Sequence, residues 1–226
     1  MLKAKISEIF FSLQGEGIYA GTAHVFIRFF GCNIKCRYCD TNKNSFKEYS
    51  VAQLIARVRK LVKEHKAKYI TLTGGEPLLQ ADFINRFLIK SQSNKTRIYL
   101  ETNGLLCSEF LKIKNQVDLV AMDFKLPGAT GLSDFWAEHE RFLKLCKPKS
   151  VFIKAVISLK TKAAEIKKAA ELISQVNKDI VLVLQPNHDE LSPELIKKAM
   201  LWQTNSQQYL TDVRVIPQMH KLIGVR

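Results

Sequence analysis

Three cysteines, Cys32, Cys36 and Cys39, fall in the spacing Cys-x3-Cys-x2-Cys. Thiolates are soft ligands. Three so close together can hold three corners of a cubane iron–sulfur cluster and leave one iron without a protein ligand. A structural zinc site wants a closed set of four, usually as separated pairs. Asp40 or His24 could serve as a fourth ligand, but neither pairs with the triplet in that way, so the spacing favours a cluster. Other residues able to do chemistry occur in short polar runs: Ser12-Leu13-Gln14-Gly15-Glu16-Gly17, Thr73-Gly74-Gly75-Glu76-Pro77, Asp123-Phe124-Lys125 and Gln185-Pro186-Asn187-His188. Read singly they are ordinary. Gly15 and Gly17 suit a turn, Glu16 a solvated acid, Thr41 a cap or turn, and Asp123 with Lys125 a structural ion pair. His188 and His220 read as loop histidines. Arg28 is harder to dismiss, because it is centred in the apolar run Val25–Phe30, where an unpaired charge is costly to bury.

The elements that must position these groups follow from hydrophobic patterning. Apolar runs at His24–Phe30, Tyr69–Thr73, Arg97–Glu101, Asp118–Phe124, Val151–Ile157, Ile180–Gln185 and Val213–Ile216 predict strands. Most are continuous rather than alternating, as expected for parallel strands covered on both faces. Helices are predicted between them. Ser50 with Gln53 makes a capping box, followed by apolar residues at helical spacing. Ser133, Thr161 and Ser192 (with Pro193 at N1) open later helices, and residues 81–92 and 105–115 supply two more. Strand–helix repeats with short loops imply a parallel α/β sheet, either a β/α barrel or a doubly wound sheet. In both, functional groups belong in loops after the carboxyl ends of strands, and the polar runs after residue 30 fall there.

The chain has 226 residues, 46% hydrophobic and 25% charged, which excludes wholesale disorder and disulfide-scaffold classes. We read one domain, residues 1–226, with a segment 1–23 preceding a β/α core and a closing C-terminal segment over 24–226. The longest apolar runs are far short of the ~20 residues that span a bilayer. No secretory signal is expected, so the expected location is cytoplasmic with no membrane partner. Net charge is +14. The basic residues are mostly lysines scattered along helical stretches, with no aromatic interleaving, so a solvated surface is favoured over direct nucleic-acid binding. Cys107 and Cys146 stand alone in apolar contexts that suit core packing.

The cysteine triplet with an aromatic residue before its last Cys, followed by Gly74-Gly75-Glu76-Pro77 after a strand, resembles the radical S-adenosylmethionine (SAM) superfamily. That resemblance implies an open β/α barrel, a [4Fe–4S] cluster on Cys32, Cys36 and Cys39, and SAM bound at the open iron and cleaved reductively. A narrower resemblance rests on Ser12–Gly17, Arg28, Cys39-Asp40-Thr41 and Ile216-Pro217-Gln218-Met219-His220-Lys221. These are similar to the 7-carboxy-7-deazaguanine synthase family, over essentially the whole chain.

The resemblance implies a lyase that contracts the ring of 6-carboxy-5,6,7,8-tetrahydropterin with loss of ammonia, on the way to queuosine and related deazapurines used in tRNA modification. Leu13, Gln14, Gly15, Glu16, Arg28, Thr73 and Arg226 are then expected to contact substrate. Tyr38, Cys39, Asp40, Gly75, Glu76, Asp123, Phe124, Lys125, Gln185, Pro186, Asn187 and His188 are expected to line the SAM pocket, and Thr41 to bind Mg2+. No side chain is expected to act as the catalyst. The implied partners are an electron donor such as flavodoxin or ferredoxin and a second copy in a homodimer. Two other readings are a glycyl-radical activase, which lacks a counterpart to Leu13–Gly17 and Pro217–Lys221, and a zinc-stabilised basic nucleic-acid-binding module, supported only by charge and cysteines.

Overall fold

A computed structural model of the chain describes residues 2–39, 45–91, 96–147 and 150–225. Asp40, Thr41 and Arg226, expected to contact SAM, Mg2+ and substrate, lie outside the described residues. The strands are β1 (Lys3–Leu13), β2 (Ala23–Phe29), β3 (Lys47–Ser50), β4 (Tyr69–Gly74), β5 (Arg97–Thr102), β6 (Leu119–Asp123), β7 (Val151–Ile157), β8 (Leu182–Pro186) and β9 (Val213–Val215). Among the described residues they form one nine-stranded sheet in the order β3-β1-β2-β4-β5-β6-β7-β8-β9. From β2 to β9 all neighbours are parallel, whereas β1 runs antiparallel to both β2 and β3. The parallel strands from β2 to β9 are added in one direction, with only the antiparallel β3 placed at the opposite edge beyond β1, so the sheet is not doubly wound. Nor do β3 and β9 pair, so it is an open β/α barrel.

Helices cover the outer face. They are α1 (Val51–His65), α2 (Ala81–Ser91), α3 (Cys107–Leu111), α4 (Pro127–Thr130), α5 (Trp136–Leu145), α6 (Ala163–Asn177), α7 (Pro193–Ser206) and α8 (Met219–Ile223). The capping box at Ser50 is formed in both directions, with Gln53 N–H donating to Ser50 and Ser50 N–H to the Gln53 side chain. Ser192 caps α7 by accepting from Leu195 N–H. Two expected caps are corrected. Thr161 accepts instead from Ser158 N–H within the preceding turn, and α6 starts two residues later without a side-chain cap. Ser133 likewise does not cap α5, which begins at Trp136. No helix among the described residues is long and apolar enough to cross a membrane.

Alternation along the strands sorts the side chains, since successive residues point to opposite faces. Ile27, Leu72, Leu100, Val120, Ile153 and Leu184 pack under the helices in the main core. Their neighbours face the concave side. Low in the barrel these are aromatic: Tyr99 and Phe152 meet Tyr19, delivered by a 3-10 turn at Gly17–Tyr19. Higher up the same faces carry Arg28, Thr73, Glu101, Asp123, Lys154 and Gln185, which line one cavity. The fold thus sets an apolar floor beneath a polar rim.

Candidate active site

The cavity has a volume of about 570 Å³ and opens at the carboxyl ends of the parallel strands. Cys32, Cys36 and Cys39 line one side of it from the loop after β2. That loop is fastened to its neighbours. Glu76 N–H donates to Gly31 O at 2.8 Å, Arg37 N–H to Thr130 O at 2.9 Å, and the Asn103 amide to Asn33 Oδ1 at 2.8 Å. A Cβ on Gly75 would lie 2.1 Å from Gly31 O and 2.8 Å from Cys32 Cβ, so only glycine lets the turn after β4 pack against the cysteine loop. The glycine expected to face SAM thus also seats the cysteines.

Among the described residues no three of His, Cys, Asp and Glu converge on one point. The thiols instead line a shared wall. Burial pushes the Cys36 thiol up, countered by the Lys125 ammonium. A thiol ligates as its thiolate, so a nearby cation favours the ligating form. The cavity also holds polar groups with no partner of their own: both side-chain polar atoms of Gln185 and one oxygen of Asp123 are buried without a hydrogen bond. Such orphans are costly unless a ligand satisfies them. Three soft thiols beside unsatisfied amide and carboxylate groups fit a cluster with an open iron and a polar cosubstrate.

Glu76 is placed differently from expectation. It is fully buried beneath the cavity wall, where it accepts from Leu78 N–H, Asn103 N–H and the Thr102 hydroxyl. Burial raises its carboxyl to about 7 against the pull of those donors. It staples the loops after β4 and β5 together. Phe124, Pro186 and His188 are likewise absent from the cavity lining. Phe124 is buried and stacks on His139 at 4.5 Å, while His188 sits in a short 3-10 turn. Leu13, Gln14, Gly15, Glu16, Arg28, Tyr38, Thr73, Gly75, Asp123, Lys125, Gln185 and Asn187 are brought together at the cavity.

Apart from the Asp123–Lys125 ion pair, their partners were not legible in the sequence. Gln14 donates to Glu101 at 2.8 Å, and Thr73 donates to the same carboxylate at 2.6 Å. Arg28 is paired through Nε to Glu8 at 3.1 Å and lies over Phe10. Lys125 is bonded to Asp123 at 2.8 Å and donates to the Tyr38 hydroxyl at 3.2 Å. Burial disfavours its charge, but Asp123, Tyr38 and Cys36 together outweigh that and hold Lys125 protonated. Sequence reasoning placed Glu101 at a rim loop without a role and missed His139 and Lys154. The Lys154 ammonium joins Glu16 to Asp123 across the cavity floor. His139 stands behind the wall with Nε2 3.1 Å from Asn103 O; a carbonyl only accepts, so that nitrogen carries the proton. Burial lowers the His139 pKa to about 4, which keeps the ring neutral. The chain's C-terminal segment closes the rim: Met219 N–H donates to Gly15 O and Gln218 Nε2 to Glu16 Oε1. Cys107 and Cys146 are half-buried against the core, away from this lining.

The family model for the radical SAM superfamily matches residues 26–190, from the second strand to the loop after β8. A 7-carboxy-7-deazaguanine synthase of Geobacter sulfurreducens is 36% identical, over 98% of this chain and 97% of its own. One from Clostridium acetobutylicum is 35% identical, over 97% and 95%. In fold, the crystal structure of QueE from Escherichia coli matches with a TM-score of 0.65 at 21% identity, covering 96% of this chain and 95% of that one. An open parallel barrel, a cysteine triplet on its rim and full-length relatives at this identity agree: the chain belongs to the 7-carboxy-7-deazaguanine synthase family of the radical SAM superfamily.

Proposed function

We infer that the chain is a 7-carboxy-7-deazaguanine synthase that converts 6-carboxy-5,6,7,8-tetrahydropterin to 7-carboxy-7-deazaguanine and ammonia. The observation that carries this reading is the joining of a cysteine-lined wall to a half-buried Gln14–Glu16–Arg28 wall within one cavity. When bound, the cluster on Cys32, Cys36 and Cys39 and its SAM supply the radical chemistry for abstracting a substrate hydrogen. The chain's own residues bind, orient and exclude water. The Arg28 guanidinium, steadied on one edge by Glu8, offers a fork to the substrate carboxylate. Glu16 accepts from the amide and amine edge of the ring, and a carboxylate facing two N–H groups is selective for that edge. Thr73 and Gln14, tied to Glu101, fix the adjoining wall. Tyr38, Gly75, Asp123, Lys125, Gln185 and Asn187 form the SAM side. Tyr99 and Phe152 close the floor against water.

A Mg2+ contact from Thr41 and a substrate contact from Arg226 belong to the same reading, as do residues 1–23 as the substrate-binding segment of a single domain. So do a homodimer and a flavodoxin- or ferredoxin-type reductant in the cytoplasm. The decisive test is anaerobic turnover of 6-carboxytetrahydropterin with SAM and a reductant, following deazaguanine and ammonia. Equimolar formation of both is expected, and SAM cleavage without either product would overturn the reading. Repeating the assay with chelator and then graded Mg2+ tests the metal.

A further inference from the structure

Among the described residues Lys154 is the one cation that is ion-paired on both halves of the cavity. It sits on the concave face of β7, directly across from Asp123 in the β6–β7 register. Its ammonium reaches Asp123 at 3.2 Å on the SAM side and the Glu16 carboxylate on the substrate side. All three side chains are largely buried, at 15%, 13% and 20% exposure. We propose that Lys154 is a positioning residue that keeps Glu16 an ionised hydrogen-bond acceptor, fixed in orientation, for the ring N–H groups of the substrate. This rests on the reading of Glu16 as a substrate contact.

The physical need is set by the surroundings. Among the described residues the groups facing Glu16 are Lys154 from β7, Tyr99 from β5, Gln218 and His220 from the C-terminal segment, and, through Lys154, Asp123 from β6, Glu101 from β5 and Lys125. Burial alone drives a carboxyl toward protonation. Here the Lys154 ammonium and the Gln218 amide outweigh burial and hold Glu16 down to about 2. The distinction matters for recognition, since an ionised carboxylate only accepts, whereas a protonated one turns a donor toward the substrate's own N–H groups. Lys154 and Gln218 take one lone pair on each oxygen. The carboxylate's second lone pairs remain for two N–H donors. Asp123 in turn prevents Lys154 from swinging away, so Glu16 is fixed by a chain of charge anchored on the opposite wall.

The test is substrate affinity as a function of pH in Lys154→Met and Lys154→Arg. Kd would be measured by anaerobic calorimetry on the unreduced holoenzyme with saturating SAM, and KM and kcat by turnover. For the parent, Kd is expected to be flat from about pH 6 to about pH 8.5. For Lys154→Met it is expected to be about tenfold or more weaker near neutrality and to recover as pH rises and Glu16 ionises, with KM moving more than kcat. Lys154→Arg, which keeps the charge, is expected to restore the flat profile. Should Lys154→Met not fold, Lys154→Gln must show the same pH-dependent loss. A neutral variant with the parent's affinity and flat profile overturns the proposal, as does an Arg variant that behaves like Met. Glu16→Gln separates the two layers. If it binds substrate as the parent does, the reading of Glu16 itself fails; if it loses affinity at every pH while Lys154→Met does not, only the role of Lys154 fails.

Discussion

Asn103 and Asn33, 70 positions apart in the chain, are joined by a 2.8 Å hydrogen bond from the Asn103 amide to Asn33 Oδ1. The same Asn103 donates its N–H to Glu76, accepts at its carbonyl from His139 Nε2 and accepts at Oδ1 from Leu105 N–H. One residue therefore ties the cysteine loop to β5, to the buried staple and to α5. Asn103→Ala removes the side-chain bonds only. We expect a stability loss of about 1–3 kcal/mol, the scale of buried polar groups left unpaired. We also expect faster loss of iron from the reconstituted protein under chelator. Iron retention equal to the parent's would show that the cysteine loop does not depend on this tie.

Gly75→Ala should be more damaging at the same place. The new Cβ would meet backbone of Gly31, which has no flexible end to yield, so the cysteine loop must shift. Reconstitution is expected to give well under the parent's iron and sulfide per chain. Gly21→Ala is the control. It has a positive φ of 86° but open space, so it costs roughly 1–3 kcal/mol of backbone strain and leaves the cluster content unchanged. Equal cluster content in both variants would refute the seating role of Gly75.

The buried staple gives a pH prediction. Glu76 titrates at about 7 in the folded chain, against an ordinary value of 4.5, because burial disfavours its charge. The folded state therefore holds this proton more tightly than the unfolded one. The stabilisation is fully present below the ordinary value and is lost as pH rises through about 7. The difference corresponds to roughly 3 kcal/mol. Urea unfolding of parent and Glu76→Gln at about pH 4, 6 and 8 should show the parent losing that much more stability with rising pH. Parallel pH profiles would mean that the carboxyl binds its proton no more tightly in the folded chain than in the unfolded one.

Arg28→Lys tests the guanidinium fork. Lysine can keep a charge near Glu8 but cannot pair with Glu8 and present two parallel donors to a carboxylate at once. Substrate KM is expected to rise about tenfold or more with a smaller change in kcat, since a charged hydrogen bond is worth about 1.5–3 kcal/mol. SAM cleavage uncoupled from product should persist. A lysine variant with the parent's KM would place the substrate carboxylate elsewhere.

The seven parallel strands were legible because each is a run of apolar residues buried on at least one face. β1 and β3 were not. Lys3, Lys5 and Glu8 interrupt β1 because it is antiparallel and partly exposed, and β3 is a short polar edge. The cysteines, glycines and Arg28 could be read because their types or spacing are unusual. Lys154 could have been found by the argument applied to Arg28: a lone charge in Val-Phe-Ile-Lys-Ala-Val-Ile is expensive unless something pairs with it. Its partners, 31 and 138 positions away, are set by topology and could not be read from spacing. Glu76 misled for the opposite reason. Its motif places it beside a ligand pocket, yet the backbone turns its carboxylate inward onto three donors.

The pairing of Glu16 with Gln218 spans 202 positions. Because each strand from β4 onward pairs beside one already made, the barrel can be laid down in the order of synthesis, while the turn at 14–17 waits with its rim open. The contact that finishes the rim forms only after Gln218 has left the ribosome. A nascent or prematurely terminated chain can therefore have a sheet, a helical coat and three cysteines in place and still lack a closed substrate wall. Closing that wall after the sheet makes the competence to bind substrate depend on synthesis through Gln218.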